Sequence, residues 1–297
     1  MILSQLVLLL LVIRKLPSII NFKFSNFKFF TLRLRYSIQL GISSVIYVVL
    51  TQLDLLMLGK LDSLDTVAQY DVSVLLSFVV LFPYTSLVKS SEHVIKDILQ
   101  NEKKLEKYNF NQGFAITLAS IVLLIFLMES DLILSIFGYE YTKASVSLVI
   151  LSSCYLLSGI LSSPIEFLNM TGNVKFSLYI LSFALVINFI VNLYLIPVYS
   201  LNGAAVGTFI SIIITKILAN IIVKKKLNLN LVTLSNFTKL IPLIISFTFY
   251  LILIKIIHFP SLFTKITFDI FILSLCVFII FLNDKKMLKN LYNKFDE

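Results

Sequence analysis

Residues 188–211, NFIVNLYLIPVYSLNGAAVGTFIS, join two apolar runs of this 297-residue chain. The runs cover residues 175–196 and 203–223, and each matches the ~20 residues that a helix needs to cross the hydrocarbon core of a bilayer. Only a short segment separates them. The pattern therefore predicts two membrane helices that are joined by a tight turn.

The composition extends this interpretation to the whole chain. Hydrophobic residues make up 58% of the chain and charged residues 14%, and the mean hydropathy is +0.96. Soluble domains average about 45–50% apolar and about 25% charged residues. We therefore predict an all-α fold, a polytopic transmembrane helical bundle with about eight full spans. The predicted spans cover residues 37–58, 70–88, 110–128, 145–167, 175–196, 203–223, 238–257 and 266–282.

The chain begins with a shorter apolar stretch, MILSQLVLLLLVI, at residues 1–13. As a helix this stretch is only about 20 Å long, which is less than the ~30 Å hydrocarbon core. No basic residue precedes it and no small-residue cleavage site follows it, so it lacks the features of a signal peptide. We expect it to be the second half of a membrane helix in a truncated chain.

The basic residues predict the orientation in the membrane. If residues 14–36 form a basic cytoplasmic linker, 20 of the 25 lysines and arginines fall on the cytoplasmic side and only four on the other. Such a bias over short loops is the positive-inside pattern, and it places the C-terminus in the cytoplasm. The basic cytoplasmic rim also accounts for the net charge of +9, so no nucleic-acid partner is implied.

Residues with catalytic or metal-binding chemistry are scarce. Cys154 and Cys276 both lie within predicted spans, and His93 and His258 lie near span ends. The sequence contains no phosphate-binding loop, no GxSxG motif, no zinc-ligand pair and no dinucleotide-binding turn. The segments between spans on the outer side are short. We therefore expect no cofactor, no metal and no enzymatic activity.

The polar residues within the spans recur every three or four residues, so each set lies on one face of its helix. Such a stripe is either a seam where helices pack or the lining of a wet path. A carboxylate at a helix centre costs about 2.5–3.5 kcal/mol, so it usually faces a bundle interior or a cavity. Three stripes contain Asp, Glu or paired Asn; they are Ser37, Gly41, Ser44, Tyr47, Thr51 and Asp54 in the first span, Ser145, Ser152, Tyr155, Gly159, Ser162 and Glu166 in the fourth, and Ser177, Ala184, Asn188 and Asn192 in the fifth.

The sixth span carries small residues in steps of four, which is typical of a seam that lets two helices approach closely. We interpret this stripe as packing rather than as a path. Its members are Gly203, Gly207, Ser211, Thr215 and Ala219.

Four stretches resemble one transporter family. Residues 188–211 are similar to the helix–turn–helix signature of bacterial polysaccharide flippases (Wzx-type, in the MATE-like MOP superfamily), in which an Asn-rich helix ends in LIP and is followed by GAA. The stretch TQLDLLMLGKLDSLDTVAQYDVS, residues 51–73, resembles the family's seventh helix and the turn after it. IFGYEYTKASVSLVIL and LNMTGNVKFSLYI match the segments between later helices. The resemblance covers roughly residues 37–223.

The resemblance implies a fold, a function and partners. Residues 1–13 would end the family's sixth helix, residues 37–223 would form its second six-helix lobe, and residues 224–297 would add two helices and a basic tail. The implied activity is to flip a polyprenyl-diphosphate-linked oligosaccharide from the inner to the outer leaflet of the cell membrane by alternating access. In the family the cavity lies between two lobes, so the resemblance also implies a missing N-terminal lobe or a partner chain. Membrane lipid is a further implied partner.

The resemblance, together with the polar stripes, singles out candidate site residues. A lysine inside a span, Lys216, could bind the diphosphate or extend to the cytoplasmic rim. Arg33 and Arg35 could receive the anionic head group at the inner mouth or simply anchor the helix end. The candidates for the substrate path are Asp54, Thr51, Tyr47, Tyr155, Glu166, Asn188, Asn192 and Lys216.

Two other functions stay open from the sequence. A cation-coupled exporter of small molecules from the same superfamily would need a tight acidic cluster, whereas the carboxylates here are spread over different depths. A scaffold or remnant that no longer transports is the other alternative. Loss of surface polysaccharide on deletion, drug sensitivity on deletion, and no phenotype would distinguish the three.

Overall fold

The structure, a computed structural model, describes residues 27–88, 95, 101–256, 264, 267–269, 271, 272 and 274. Every regular element in these residues is helical. The elements are α1 (Phe27–Leu61), α2 (Leu64–Leu87), α3 (Glu102–Ser135), a 3₁₀ helix (Tyr139–Ala144), α4 (Ser145–Ile160), α5 (Pro164–Met170), α6 (Val174–Leu227), α7 (Leu234–Thr238) and α8 (Leu240–Ile256).

Six of the described helical segments are long and apolar enough to cross a membrane. The chain is therefore a helical membrane protein, but the predicted count of about eight spans is not confirmed. The predicted spans 175–196 and 203–223 belong to one 54-residue element, α6. Most of the predicted span 266–282, and all of residues 1–13, lie outside the described residues.

The chain divides into two compact units, residues 1–38 and 39–297. The described part of the first unit, residues 27–38, is the beginning of α1. This helix starts at Phe27, so residues 27–36 of the segment predicted as the linker 14–36 are helical, and their role as a linker stays a prediction. Residues 14–26 lie outside the described residues.

Helix α6 is interrupted at Ser200, whose φ of 51° and ψ of −130° are not helical. A straight helix of this length would measure about 80 Å, far more than the ~30 Å hydrocarbon core. The halves instead contact each other, because a Cβ at Gly203 would overlap the backbone carbonyl of Leu195 and one at Gly207 would overlap the amide of Asn192. The element is a helical hairpin, as the sequence around residues 188–211 predicts.

The seam of this hairpin is the small-residue stripe of the sixth predicted span. All five of its members are buried, which is the packing role expected for them; they are Gly203, Gly207, Ser211, Thr215 and Ala219.

The predicted span 145–167 is wrong as a single helix. Helix α4 ends at Ile160, Ser162 takes a left-handed φ of 67°, and α5 begins at Pro164. A proline disfavours the helical conformation in the residue before it and has no N–H to continue the ladder. Glu166 therefore lies on a different helix from Tyr155, although the sequence places both on one stripe.

Helix α1 packs against its neighbours along a narrow line of buried residues and exposes most of the rest. The other long helices surround an apolar core that includes Leu124, Leu148 and Ala204. The buried residues of α1 are Ser43, Leu50, Asp54, Met57 and Leu58.

Substitution of Gly203 by alanine tests the close contact within the hairpin. The new methyl group would collide with backbone, so the two arms must separate, and we expect a loss of about 1–3 kcal/mol in the free energy of unfolding. Gly41→Ala is the matched control, because a Cβ at Gly41 meets no atom within 4 Å. Unfolding in mixed detergent micelles measures both. Equal stabilities of the two variants would contradict the hairpin contact.

Candidate functional site

The carboxylate of Asp54 lies at the centre of the candidate site. The residue is 2% exposed, and its Oδ2 accepts hydrogen bonds from Tyr70 Oη of α2 and from Thr208 Oγ1 of α6, both at 2.6 Å. The other oxygen, Oδ1, is buried and has no hydrogen-bond partner among the described residues. One carboxylate thus connects three helices.

The hydrogen bonds continue from Thr208 along the α6 hairpin. Ser211 Oγ donates to the Thr208 carbonyl at 3.0 Å and accepts from Asn188 Nδ2 at 3.2 Å. Asn192 Nδ2 donates to Asn188 Oδ1 at 3.1 Å. Like Asp54 Oδ1, Asn192 Oδ1 has no partner in the described part of the chain. We call these six residues the buried polar network; they are Tyr70, Asp54, Thr208, Ser211, Asn188 and Asn192.

The unpaired oxygens of Asp54 and Asn192 make this network rich in hydrogen-bond acceptors. Hydroxyl groups rather than a cation stabilise the Asp54 carboxylate, and a hydrogen bond to a charged group contributes about 1.5–3 kcal/mol. Its second oxygen is open to a further donor, such as a proton, a water molecule or a ligand hydroxyl. The described residues contain no group of three or more His, Cys, Asp or Glu side chains that could hold a metal ion.

A second group of candidates lies on the more open side of α1. The phenol of Tyr47 lies near Glu166 of α5 and Tyr155 of α4. Tyr47 is 55% exposed, and the half-buried Tyr155 stacks on Phe78 with their ring centroids 5.2 Å apart. Glu166 is half-buried, and its Oε2 makes no hydrogen bond to a described residue. We call Tyr47, Tyr155 and Glu166 the open patch.

Asp54 and Tyr47 lie two helical turns apart on α1, so the two groups share this helix. Thr51, one turn before Asp54 on α1, is half-buried, and its hydroxyl donates to the Val48 carbonyl at 2.9 Å. The structure therefore brings together the predicted residues Asp54, Tyr47, Tyr155 and Glu166 across three helices and a helix break. Their role on a substrate path stays a prediction.

The side chain of Lys216, a residue of α6, lies at the C-terminal end of α4, away from both groups. Its Nζ donates to the carbonyl of Ser162 at 2.7 Å. Asn220 Nδ2 donates to Leu161 O at 2.8 Å, and Gln112 Nε2 donates to the carbonyls of Gly159 and Ile160 at 2.9 and 3.1 Å. The last carbonyls of a helix have no partner within it and carry partial negative charge. These side chains supply the missing donors.

Two hydroxyl pairs complete this helix break. Tyr108 Oη is hydrogen-bonded to Ser162 Oγ at 2.6 Å, and Tyr84 Oη is hydrogen-bonded to Ser163 Oγ. Non-helical backbone at membrane depth persists only where protein or water satisfies its polar groups. Lys216 therefore has a structural role, because it donates to the Ser162 carbonyl. The sequence predicts diphosphate binding or extension to the cytoplasmic rim for this lysine, and neither prediction includes that bond.

The two arginines predicted at the head-group entrance belong to the first unit. Arg35 is exposed, and the side chain of Arg33 lies outside the described residues. Their entrance role stays a prediction.

Sequence reasoning missed three members of the buried polar network. Tyr70 and Thr208 are the donors to Asp54, and neither is among the predicted site residues. The small-residue spacing predicts only a packing role for Ser211, which accepts a hydrogen bond from Asn188. Thr208 directly follows Gly207 and precedes Ser211 by three residues, so it shares their part of the helix surface. That spacing is the one local signal that could have pointed to it.

Comparisons of this chain with protein-family models, with curated proteins and with solved structures found no match. The fold and the site thus define a class, a helical membrane protein with a hydrogen-bonded polar network inside its bundle.

Replacement of Asp54 separates its hydrogen bonds from its charge. Asp54→Ala leaves the hydroxyls of Tyr70 and Thr208 buried without their acceptor, so we expect a loss of about 1–3 kcal/mol in the free energy of unfolding. Asp54→Asn retains an acceptor oxygen and should lose much less. Unfolding of both variants in mixed micelles makes the comparison. An alanine variant as stable as the wild type would show that these bonds do not hold α1.

Substitution of Lys216 by methionine tests its role at the helix break. The methionine keeps an aliphatic chain of similar length but donates no hydrogen bond to the Ser162 carbonyl, so we expect a loss of about 1–3 kcal/mol in stability. Lys143→Met removes the same charge from an exposed position and is the control. If both variants unfold alike but only Lys216→Met impairs transport, the lysine serves the substrate path instead.

Proposed function

We propose that this chain forms one lobe of a transporter that flips a polyprenyl-diphosphate-linked oligosaccharide from the inner to the outer leaflet for surface polysaccharide synthesis. The observation that supports it best is the buried polar network, which lies within membrane-spanning helices and shares α1 with the open patch. Polar groups at membrane depth are expensive and usually mark a substrate pathway. The resemblance of residues 37–223 to Wzx-type flippases supports the same proposal.

In the proposed mechanism the sugar follows the polar groups while the lipid tail stays in the bilayer. The hydroxyl, amide and carboxylate groups of the open patch and of α1 exchange hydrogen bonds with sugar hydroxyls. A second lobe, in the same polypeptide or in a partner chain, completes the cavity, and the lobes rock between inward-open and outward-open states. The basic helix ends face the cytoplasm of the cell membrane, where Arg33 and Arg35 receive the head group.

A second candidate is a cation-coupled exporter of small molecules. Asp54 favours it, because one of its buried oxygens is open to a further donor or to a cation. Cation coupling needs a tight acidic cluster, whereas Asp54 is a single carboxylate. The described residues contain no cluster of three metal-ligating side chains. We therefore rank it second.

Deletion of the gene in its native host, followed by complementation, tests the flippase proposal. We expect deletion to abolish surface polysaccharide and the wild-type gene to restore it. Asp54→Asn should insert normally but reduce export about tenfold, because a neutral amide accepts a weaker hydrogen bond from a sugar hydroxyl than a carboxylate does, by about 1–1.5 kcal/mol. Immunoblots of membranes control for abundance.

The outcomes of this deletion separate the candidates. Normal surface polysaccharide after deletion would overturn the flippase proposal. Drug sensitivity with intact polysaccharide would favour the exporter instead.

A further inference from the structure

The two ends of the α6 hairpin lie close together. Ser200 divides the helix into arms of nearly equal length, 174–199 and 201–227, so the second arm returns to the level at which the first began. Lys175 is the second residue of the helix and Lys226 the residue before its last. Because of this geometry, two lysines that are far apart in sequence share one place.

Both lysines lie over the same aromatic ring. The Nζ of Lys175 is 5.7 Å from the centroid of the Phe176 ring and the Nζ of Lys226 is 5.3 Å from it. The two ammonium groups are therefore no more than about 11 Å apart, the sum of these distances. The ring is half-buried and packs against the apolar cluster that contains Ile180 and Val223, so it is a fixed platform.

Neither ammonium group is neutralised within the described part of the chain. The cation–π contacts are their only interactions with described residues, and no carboxylate there pairs with them. The helix dipole explains a cation in the last turn of α6, such as Lys226, but it opposes one in the first turn, where Lys175 lies. Helix stability therefore gives no reason for the position of Lys175.

We propose that Lys175 and Lys226, on the platform of Phe176, bind the phosphate head group of a membrane lipid. They lie at the end of two membrane-spanning arms, which is the level of the lipid head groups. An exposed ammonium donates charge-assisted hydrogen bonds to phosphate oxygens, and basic residues next to a span attract anionic lipids. The site goes beyond the proposed function and does not rest on it.

Binding to nanodiscs of defined lipid composition tests the site. The full chain is reconstituted in phosphatidylcholine that carries either phosphatidylglycerol or a polyprenyl diphosphate, and bound lipid is measured by native mass spectrometry. We expect Lys175→Gln/Lys226→Gln to lose about tenfold more affinity than Lys224→Gln/Lys225→Gln. The control pair removes the same charge from exposed lysines of the same helix end.

A third variant keeps the charge and removes the platform. Phe176→Leu should weaken binding although both lysines remain, because they are no longer held over one ring. Size-exclusion chromatography confirms that each variant is folded and monodisperse.

The lipid arms identify the ligand. If the Lys175/Lys226 variant alone loses affinity for phosphatidylglycerol, the site binds bulk anionic lipid. If it alone loses affinity for the polyprenyl diphosphate, the site binds the polyprenyl carrier. Either result supports the site. Equal losses for the two lysine pairs in both arms would overturn it, since simple surface attraction would then explain the binding.

Discussion

The buried carboxylate of Asp54 is the constraint on which the arrangement of the helices depends. A buried carboxyl group needs hydrogen-bond partners, and two donors reach one of its oxygens from α2 and α6, namely Tyr70 and Thr208. Apart from this contact, α1 meets its neighbours along a narrow seam that includes Leu50 and Met57. Two hydrogen bonds to one oxygen therefore fix the rotation of a helix whose apolar contacts alone would specify it poorly.

The requirement that polar backbone be satisfied inside the membrane governs the break between α4 and α5. At Ser162 the carbonyls released by α4 are bonded by side chains of α3 and α6, among them Gln112 and Lys216. At Ser200 the chain reverses, and the Ser200 hydroxyl bonds to Asp62 in the turn between α1 and α2. Each break is thus joined to a distant part of the bundle, so the irregular positions also connect the helices.

Local sequence patterns predicted the two features that bilayer thickness and the helical period determine, which are the membrane spans and the buried face of a helix. Apolar length located most described spans, and the 3.6-residue period placed Asn188 and Asn192 in the interior, where both are fully buried. Averaging over an apolar window concealed the break before Pro164. Periodicity placed Asp54 and Tyr47 on one polar face of α1 but did not predict how deeply each side chain is buried. Asp54 is buried, whereas Tyr47 is exposed. The partners of Asp54 lie 16 and 154 residues away, and no local pattern contains such a pairing.

The unsatisfied groups of the bundle give the candidate site its chemical preference. Among the described residues the buried side-chain atoms without a partner are mostly acceptors, including Asp54 Oδ1, Asn192 Oδ1 and Glu166 Oε2. Each unpaired acceptor costs about 1–3 kcal/mol unless a donor reaches it. An anionic ligand group supplies no such donor, whereas a sugar presents many hydroxyl groups that do. An excess of acceptors therefore agrees with the proposal that a glycan is the transported group, and under that proposal the phosphate groups would pair with cationic residues at the helix ends.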